Sequence, residues 1–175
     1  MRGLASVRTP MLTFLFWNLN RQRREDIAAR LAERHQVDVL MLAECSTPEG
    51  AMLRALNRKR VEFHDNGSPG TPRGIAIYSR FAGDLIRPLY DDARLTVRHL
   101  RLPARHDMLL GVVHLRSKLY QREDSQAFAC VELSRMLDEL ERKLGHRRTI
   151  LAGDFNMNPF ESGMVSAAGL NAVMD

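Results

Sequence analysis

The most informative stretch of the chain is Thr149-Ile-Leu-Ala-Gly-Asp-Phe-Asn156, an apolar segment that ends in polar residues. Short apolar segments of this kind are typical of strands that are covered on both faces of a sheet. Such a strand would hold Asp154 and Asn156 rigidly, while the loop that follows would open them to solvent. We therefore expect these two side chains to lie at the mouth of a site.

Three other apolar segments also carry polar residues at or just after their ends. Met11–Trp17 precedes Asn18 and Asn20, Val37–Ala43 precedes Glu44, and Met108–Leu115 contains His114. Each of these residues alone is most simply interpreted as a turn, solvated or packing residue. Together they would build a cluster of carboxylate and amide oxygens with one imidazole. These ligands favour Mg²⁺, with Mn²⁺ as the alternative, over structural zinc.

The rest of the pattern predicts an α/β domain with a mixed sheet. Helices are predicted at 23–35, from Thr47-Pro48 onward with Thr47 as the cap, and at 121–144. A turn-rich segment at 66–74 predicts a loop between antiparallel strands, and further strands are predicted at 85–90 and 94–102. The apolar positions of 94–102 change phase between Val97 and Leu100, which indicates a bulge.

Composition limits the class of protein. The 175 residues carry 26 basic and 21 acidic side chains, and the basic ones are nearly all arginine. Arginine suits phosphate, so a polyanionic partner is one interpretation, and a merely solvated surface is the other. Two cysteines are too few for a disulfide framework, which favours a cytoplasmic setting, and no apolar run is long enough to span a membrane. We expect an unstructured extension at 1–10 and one domain at 11–175.

Cationic side chains follow the same strand ends. Arg21, Arg23 and Arg24 come after Asn20, and Arg116 and Lys118 come after His114. Arg73, at the end of the turn-rich segment, is a further candidate, although solvation explains it equally well. A ring of cations around an oxygen-rich metal site fits hydrolysis of phosphate esters.

The segments together resemble the endonuclease/exonuclease/phosphatase superfamily in their order and approximate spacing. They are Trp17-Asn18-Leu19-Asn20, Leu42-Ala43-Glu44, Arg73-Gly74-Ile-Ala-Ile-Tyr-Ser79-Arg80, Val113-His114-Leu115 and Gly153-Asp154-Phe155-Asn156. The resemblance implies a four-layer α/β sandwich of the DNase I-like type, with two mixed sheets face to face and helices outside. It also implies divalent-metal-dependent cleavage of phosphoester bonds, most simply as a nuclease acting on DNA or RNA by in-line attack of water.

The resemblance also implies roles for individual residues. Glu44 would be the principal metal ligand, and Asn20, which stands where many members have Asp, a second one. Asp154 would orient or deprotonate the attacking water, and Asn156 would bond the phosphoryl group or the water. Asn18 and His114 would complete the catalytic set, with His114 contacting the scissile phosphate. Substrate phosphate would be bound by Arg21, Arg73, Arg116 and Lys118.

Members of the superfamily continue through further strands and close with a Ser-Asp-His element, which this sequence does not contain. We therefore expect an incomplete second half-sheet with an exposed edge, and weak or no turnover by the 175 residues alone. The chain would be a fragment of a longer enzyme, would receive the missing half from a second chain, or would be a degenerate form. The alternative functions are a non-catalytic phosphate- or nucleic-acid-binding or assembly module, and a phosphatase or phospholipid phosphodiesterase of the same superfamily.

Overall fold

The architecture comes from a computed structural model, which describes residues 11–60, 62–67, 74–117 and 123–172. The expected extension at 1–10 lies outside the described residues. The elements are β1 (Phe14–Asn18), α1 (Glu25–Arg34), β2 (Val39–Ala43), α2 (Glu49–Leu56), β3 (His64–Asp65), β4 (Ile75–Ser79), β5 (Ile86–Asp91), β6 (Leu95–Leu100), β7 (Met108–His114), α3 (Glu123–Leu144), β8 (Thr149–Asp154) and α4 (Ser162–Val165). Among the described residues, no helix combines the length and apolar character that crossing a bilayer requires.

Two four-stranded sheets make up the β structure. The first has the order β1-β2-β4-β3 and the second the order β5-β6-β7-β8. In each sheet one pair is parallel, β1 with β2 and β7 with β8, and the other pairs are antiparallel. Both sheets are therefore mixed, as the sequence predicts.

Three apolar cores separate four layers. The first core packs α1 and α2 against one face of the first sheet, through residues such as Ala28, Met52 and Leu40. The second core lies between the two sheets, and the third packs α3 on the outer face of the second sheet. The four-layer sandwich expected from the family resemblance is thus the observed fold.

The edge strands β1 and β8 lie next to each other across the sandwich. β1 is half-buried along its whole length, whereas its inner neighbour β2 is fully buried. β8 is also mostly half-buried, and Ile150 on it is 36% exposed. Because β1 and β8 are the edges on this side of both sheets, their ends can contact each other.

The prediction of a bulge within 94–102 is wrong. β6 pairs regularly with β7 from Leu95 to Leu100, and the register shift lies in β5 between Pro88 and Tyr90. The apolar phase changes in β6 because a charged residue, Arg98, occupies a position on the face that is buried between the sheets.

Arg98 is buried with its polar partners. It is 1% exposed, its Nη1 lies 2.8 Å from Asp91 Oδ1, and its Nε donates to the Asn66 carbonyl at 3.0 Å. The ion pair joins β5 to β6, and the bond to Asn66 joins the second sheet to the loop after β3. Burial of the guanidinium is tolerated because these acceptors replace its water.

Thr47 does not cap α2. Pro48 occupies the cap position and α2 begins at Glu49, while the Thr47 hydroxyl donates to Glu25 Oε2 at 3.0 Å. Glu25 is the first residue of α1, so the hydroxyl joins the starts of two helices instead of capping one. The antiparallel strands expected on the two sides of the 66–74 loop are β3 and β4. The sequence pattern does not predict α4, since four residues carry no periodic signal.

We expect Arg98→Met to lower the free energy of unfolding by about 3 kcal/mol, because it leaves the Asp91 carboxylate in the interior without its cation. The double variant Arg98→Met/Asp91→Asn should recover part of this loss. Urea unfolding measures both, with Arg135→Met as a control on an exposed arginine. Equal effects of Arg98→Met and Arg135→Met would contradict a structural role of the buried pair.

Candidate functional site

A hydrogen bond joins the ends of the two edge strands. Asn18, the last residue of β1, donates through Nδ2 to Asp154 Oδ2 at 2.9 Å. Asp154 is the last residue of β8, 136 positions further along the chain. The bond therefore fixes the edge of one sheet to the edge of the other.

The same local turn follows both strands. Asn18 Oδ1 accepts the backbone N–H of Asn20 at 2.9 Å, and Asp154 Oδ1 accepts the backbone N–H of Asn156 at 3.0 Å. Asn20 and Asn156 both have left-handed backbones, with φ of 46° and 50°. Asparagine adopts this conformation more readily than most residues. Each turn thus holds one side-chain oxygen and leaves Asn18 Nδ2 and Asp154 Oδ2 to bond each other.

A second link between the sheets runs through Glu44. Glu44 follows β2 with φ of 47°, and its Oε1 lies 3.2 Å from Nε2 of His114 at the end of β7. Its Oε2 lies 3.5 Å from Nε of Arg21. His114 is the register partner of Asp154, and Asn18 is the register partner of Ala43. The ends of β1, β2, β7 and β8 therefore form a closed ring around the site.

The glycine of the Gly-Asp-Phe-Asn element is required by close backbone packing. Gly153 has φ of 149°, and a Cβ atom there would lie 2.0 Å from the Val113 carbonyl oxygen. Such a distance is far inside van der Waals contact, so any side chain would push β8 away from β7. Glycine at this position allows the tight pairing that places Asp154 beside His114.

Asn156 is held by its side chain as well as by its backbone. Its Nδ2 donates to the Leu115 carbonyl at 2.7 Å, so the amide joins the loop after β8 to the loop after β7. The sequence predicts that Asn156 bonds the phosphoryl group or the water. In the structure its backbone N–H donates to Asp154 Oδ1 and its Nδ2 donates to the Leu115 carbonyl, and its contact with the phosphoryl group or the water stays a prediction.

Gln126 is a buried polar residue that sequence reasoning missed. It lies on α3, is 1% exposed, and donates through Nε2 to the Arg116 carbonyl at 2.9 Å and the Asn156 carbonyl at 3.2 Å. It lies in line with the buried Cys130, Leu133 and Leu137 at helical spacing. A glutamine within the apolar stripe of a helix is the signal that identifies such a residue.

The remaining predicted residues divide into two groups. Asn20, Arg21 and Arg116 are exposed at the site, and the carboxylate of Glu44 is the described contact of Arg21. Arg73 and Lys118 lie outside the described residues. Cys45, next to Glu44, is a free thiol whose pKa burial raises, so it stays protonated at neutral pH.

A cleft of about 610 Å³ opens beside Asp154. Its lining comes from β1, from the end of β8 with the loop that follows, and from α4: Phe16, Gly153, Asp154, Phe155, Asn156, Met157, Asn158, Pro159 and Met164. The Asp154 carboxylate is thus accessible to a molecule larger than water.

The side chains at the strand ends fit an ion such as Mg²⁺ that is bound through one carboxylate. Among the described residues, no group of three His, Cys, Asp or Glu side chains converges on a point that could hold a metal. Mg²⁺ needs no such group, because it keeps several waters and takes oxygens from one or two carboxylates and a substrate phosphate. Glu44 is the carboxylate that could hold such an ion, and in the structure its two oxygens contact His114 and Arg21.

The family model for the endonuclease/exonuclease/phosphatase family matches residues 15–172. No curated protein sequence matches the chain.

Solved structures with the same fold include the human Nocturnin catalytic domain with bound sulfate, at 16% identity and TM-score 0.64, covering 90% of this chain and 70% of that one. The endonuclease domain of TRAS1, a telomere-specific non-LTR retrotransposon, has 18% identity and TM-score 0.54, with 85% and 60% covered. A Staphylococcus aureus beta toxin with bound magnesium ions has 12% identity and TM-score 0.60, with 84% and 65% covered. The chain thus spans 60% to 70% of the length of these structures.

We expect Asn156→Ala to destabilise the protein more than Asn156→Gly, by about 1 kcal/mol. Both variants lose the bond to the Leu115 carbonyl, but only alanine is strained by the left-handed backbone. Thermal or urea unfolding measures the difference. Asn158, which does not have a positive φ, is the matched control, and there glycine should be no better than alanine. Equal stability of the two Asn156 variants would contradict the turn geometry.

Proposed function

Because the chain belongs to the endonuclease/exonuclease/phosphatase family, we propose that it acts in a divalent-metal-dependent phosphodiester hydrolase that cleaves DNA or RNA. The family consists of metal-dependent phosphoesterases and includes nucleases and phosphatases. Water is the attacking nucleophile in this proposal, and the reaction breaks the bond between phosphorus and the leaving oxygen.

The observation that carries the proposal is the ring of strand ends. It brings two carboxylates from different sheets, Glu44 and Asp154, into one network through His114 and Asn18. A fold held together only by packing has no need of this many polar groups at one point. Two carboxylates, an imidazole and an amide at four neighbouring strand ends, with the cleft that opens beside Asp154, support a function in the hydrolysis of phosphate esters.

Asp154 is the group that we assign to the attacking water. Its two oxygens accept N–H donors from Asn18 and Asn156, so the carboxylate plane is fixed before any substrate arrives. The remaining lone pairs can accept a proton from water and orient it toward phosphorus. General-base assistance of this kind contributes about 10²- to 10⁴-fold.

Glu44 and Asn20 are the residues that we assign to Mg²⁺, with Mn²⁺ as a substitute. When bound, the ion would neutralise charge that develops on the phosphate and the leaving oxygen. We assign to His114, whose Nε2 lies 3.2 Å from Glu44 Oε1, the contact with the scissile phosphate. Arg21, whose Nε lies 3.5 Å from Glu44 Oε2, would contact the substrate backbone in this proposal.

Charge supports a nucleic acid as the substrate. The chain carries a formal net charge of +5, and the exposed Arg21 and Arg116 flank the site. Arginine binds phosphate oxygens through a planar pair of donors. One of the similar folds, TRAS1, is an endonuclease domain. For Arg73 and Lys118 the proposal is the same contact with the substrate backbone.

One observation favours a second candidate, a non-catalytic phosphate-binding module. Glu44 is already paired with two cationic or potentially cationic groups, Arg21 and His114. If these pairs persist, the site would bind phosphate without a metal. Nucleic-acid affinity would then fall with salt by about one log unit per log unit of salt for each phosphate contacted and would not respond to EDTA.

We expect Glu44→Gln and Asp154→Asn each to lower Mg²⁺-dependent cleavage of a labelled oligonucleotide by at least about 100-fold in the native protein. Both substitutions keep the size of the side chain and remove its charge. Glu132→Gln and Asp138→Asn, on the exposed face of α3, are matched controls and should leave the rate unchanged. Circular dichroism confirms that each variant is folded.

A panel of single-stranded DNA, double-stranded DNA, RNA, a phosphomonoester and sphingomyelin vesicles separates the nuclease from a phosphatase or phospholipid phosphodiesterase. Undiminished oligonucleotide cleavage in both charge-removing variants would refute the assignment of the site. Cleavage confined to the monoester or the lipid would refute a nuclease while retaining the metal-dependent reaction.

A further inference from the structure

A single side chain of α3 joins the two loops that follow His114 and Asp154. Gln126 Nε2 donates to the Arg116 carbonyl at 2.9 Å, in the loop after β7, and to the Asn156 carbonyl at 3.2 Å, in the loop after β8. Because Gln126 is 1% exposed, water does not compete for these bonds. The amide therefore fixes the spacing between the segments that follow His114 and Asp154.

The contact requires a nitrogen that carries two hydrogens. Both partners are carbonyl oxygens, which only accept hydrogen bonds, so the residue must offer two hydrogens from one nitrogen. The other end of the amide, Oε1, is buried and has no hydrogen-bond partner among the described residues. An unpaired buried oxygen lowers the stability of the folded protein, so the amide is not explained by a stabilising contact within α3. Its contribution lies in the two bonds to the loops.

The bond to Asn156 acts on Asp154. Asn156 uses its carbonyl for Gln126, its N–H for Asp154 Oδ1 and its Nδ2 for the Leu115 carbonyl. With all three groups engaged, the left-handed backbone of Asn156 is fixed, and with it the direction of the Asp154 carboxylate. Loss of the Gln126 bonds would free the Asn156 carbonyl and let the carboxylate turn.

We propose that Gln126 is a positioning residue for phosphodiester cleavage, acting through Asn156 on the orientation of Asp154. The kinetic part of this inference rests on the proposed function, whereas its structural part does not. Two experiments therefore test it, one on the geometry and one on the rate.

The geometry is tested by NMR on the 175-residue chain. In the unsubstituted protein, scalar couplings across hydrogen bonds should link Gln126 Nε2 to the carbonyl carbons of Arg116 and Asn156. In Gln126→Met, the side-chain amide signals of Asn18 and Asn156 should shift. The side-chain amide of Asn57, which donates to the Phe63 carbonyl at 2.9 Å, is a probe remote from the site and should not shift.

The rate is tested on the native protein with the oligonucleotide substrate. Gln126→Met and Gln126→Glu keep the length of the side chain. Methionine removes both donors and glutamic acid retains at most one O–H, so kcat should fall about 10- to 100-fold while KM changes less than about twofold. Leu137→Ala removes packing from the same helix face at a position eleven residues further along α3. At a temperature where all variants are folded, Leu137→Ala should keep kcat.

The outcomes separate the two hypotheses. Unchanged kcat in both Gln126 variants, with Glu44→Gln inactive, overturns the role of Gln126 and leaves the proposed function intact. An equal fall of kcat in Leu137→Ala overturns it as well, since the effect would then be one of stability. If Glu44→Gln and Asp154→Asn keep full activity, the proposed function fails. The inference then depends on NMR alone, and unshifted Asn18 and Asn156 signals overturn it.

Discussion

The hydrogen bond between Asn18 Nδ2 and Asp154 Oδ2, at 2.9 Å, is the contact on which the rest of the site depends. Each residue ends an edge strand of a different sheet, so the bond sets how the two sheets meet. The Glu44–His114 contact then closes a second connection between the sheets one strand further in. Packing of the central core brings the sheets together, but these polar contacts define which strand ends face each other.

Backbone strain is concentrated where these strands end. Among the described residues, seven non-glycine residues have positive φ, and four of them are Asn20, Arg21, Glu44 and Asn156. Strained residues persist only where the surrounding structure holds them, and they are frequent at functional sites. Here the pairing of these strands with their neighbours and the side-chain bonds supply that support. The symmetry of the two turns, Asn18 to Asn20 and Asp154 to Asn156, gives both sheets the same way of presenting a polar side chain.

The local sequence pattern predicts most of the strands and helices. It does not predict contacts between residues that are distant in the sequence. The apolar runs before Glu44 and Asp154 predict both strands and the polar residues at their ends, because apolar runs and turn residues are short-range signals. The hydrogen-bond and ion-pair partners of these residues cannot be predicted in this way. That Asn156 bonds the Leu115 carbonyl, or that Arg98 pairs with Asp91 between the sheets, depends on register and layer packing. A buried cation and a bulge interrupt an apolar pattern alike, so the sequence of β6 predicts a bulge where the structure has a buried arginine.

We propose that the four strand ends form one metal-dependent site. The most direct test is titration of the isotope-labelled chain with Mn²⁺, whose unpaired electrons broaden NMR signals nearby. If the strand ends bind one ion, the signals of Asn18, Glu44 and Asp154 should broaden together with the same midpoint, and excess Mg²⁺ should restore them. Broadening of Glu44 without Asp154, or of neither, would contradict it.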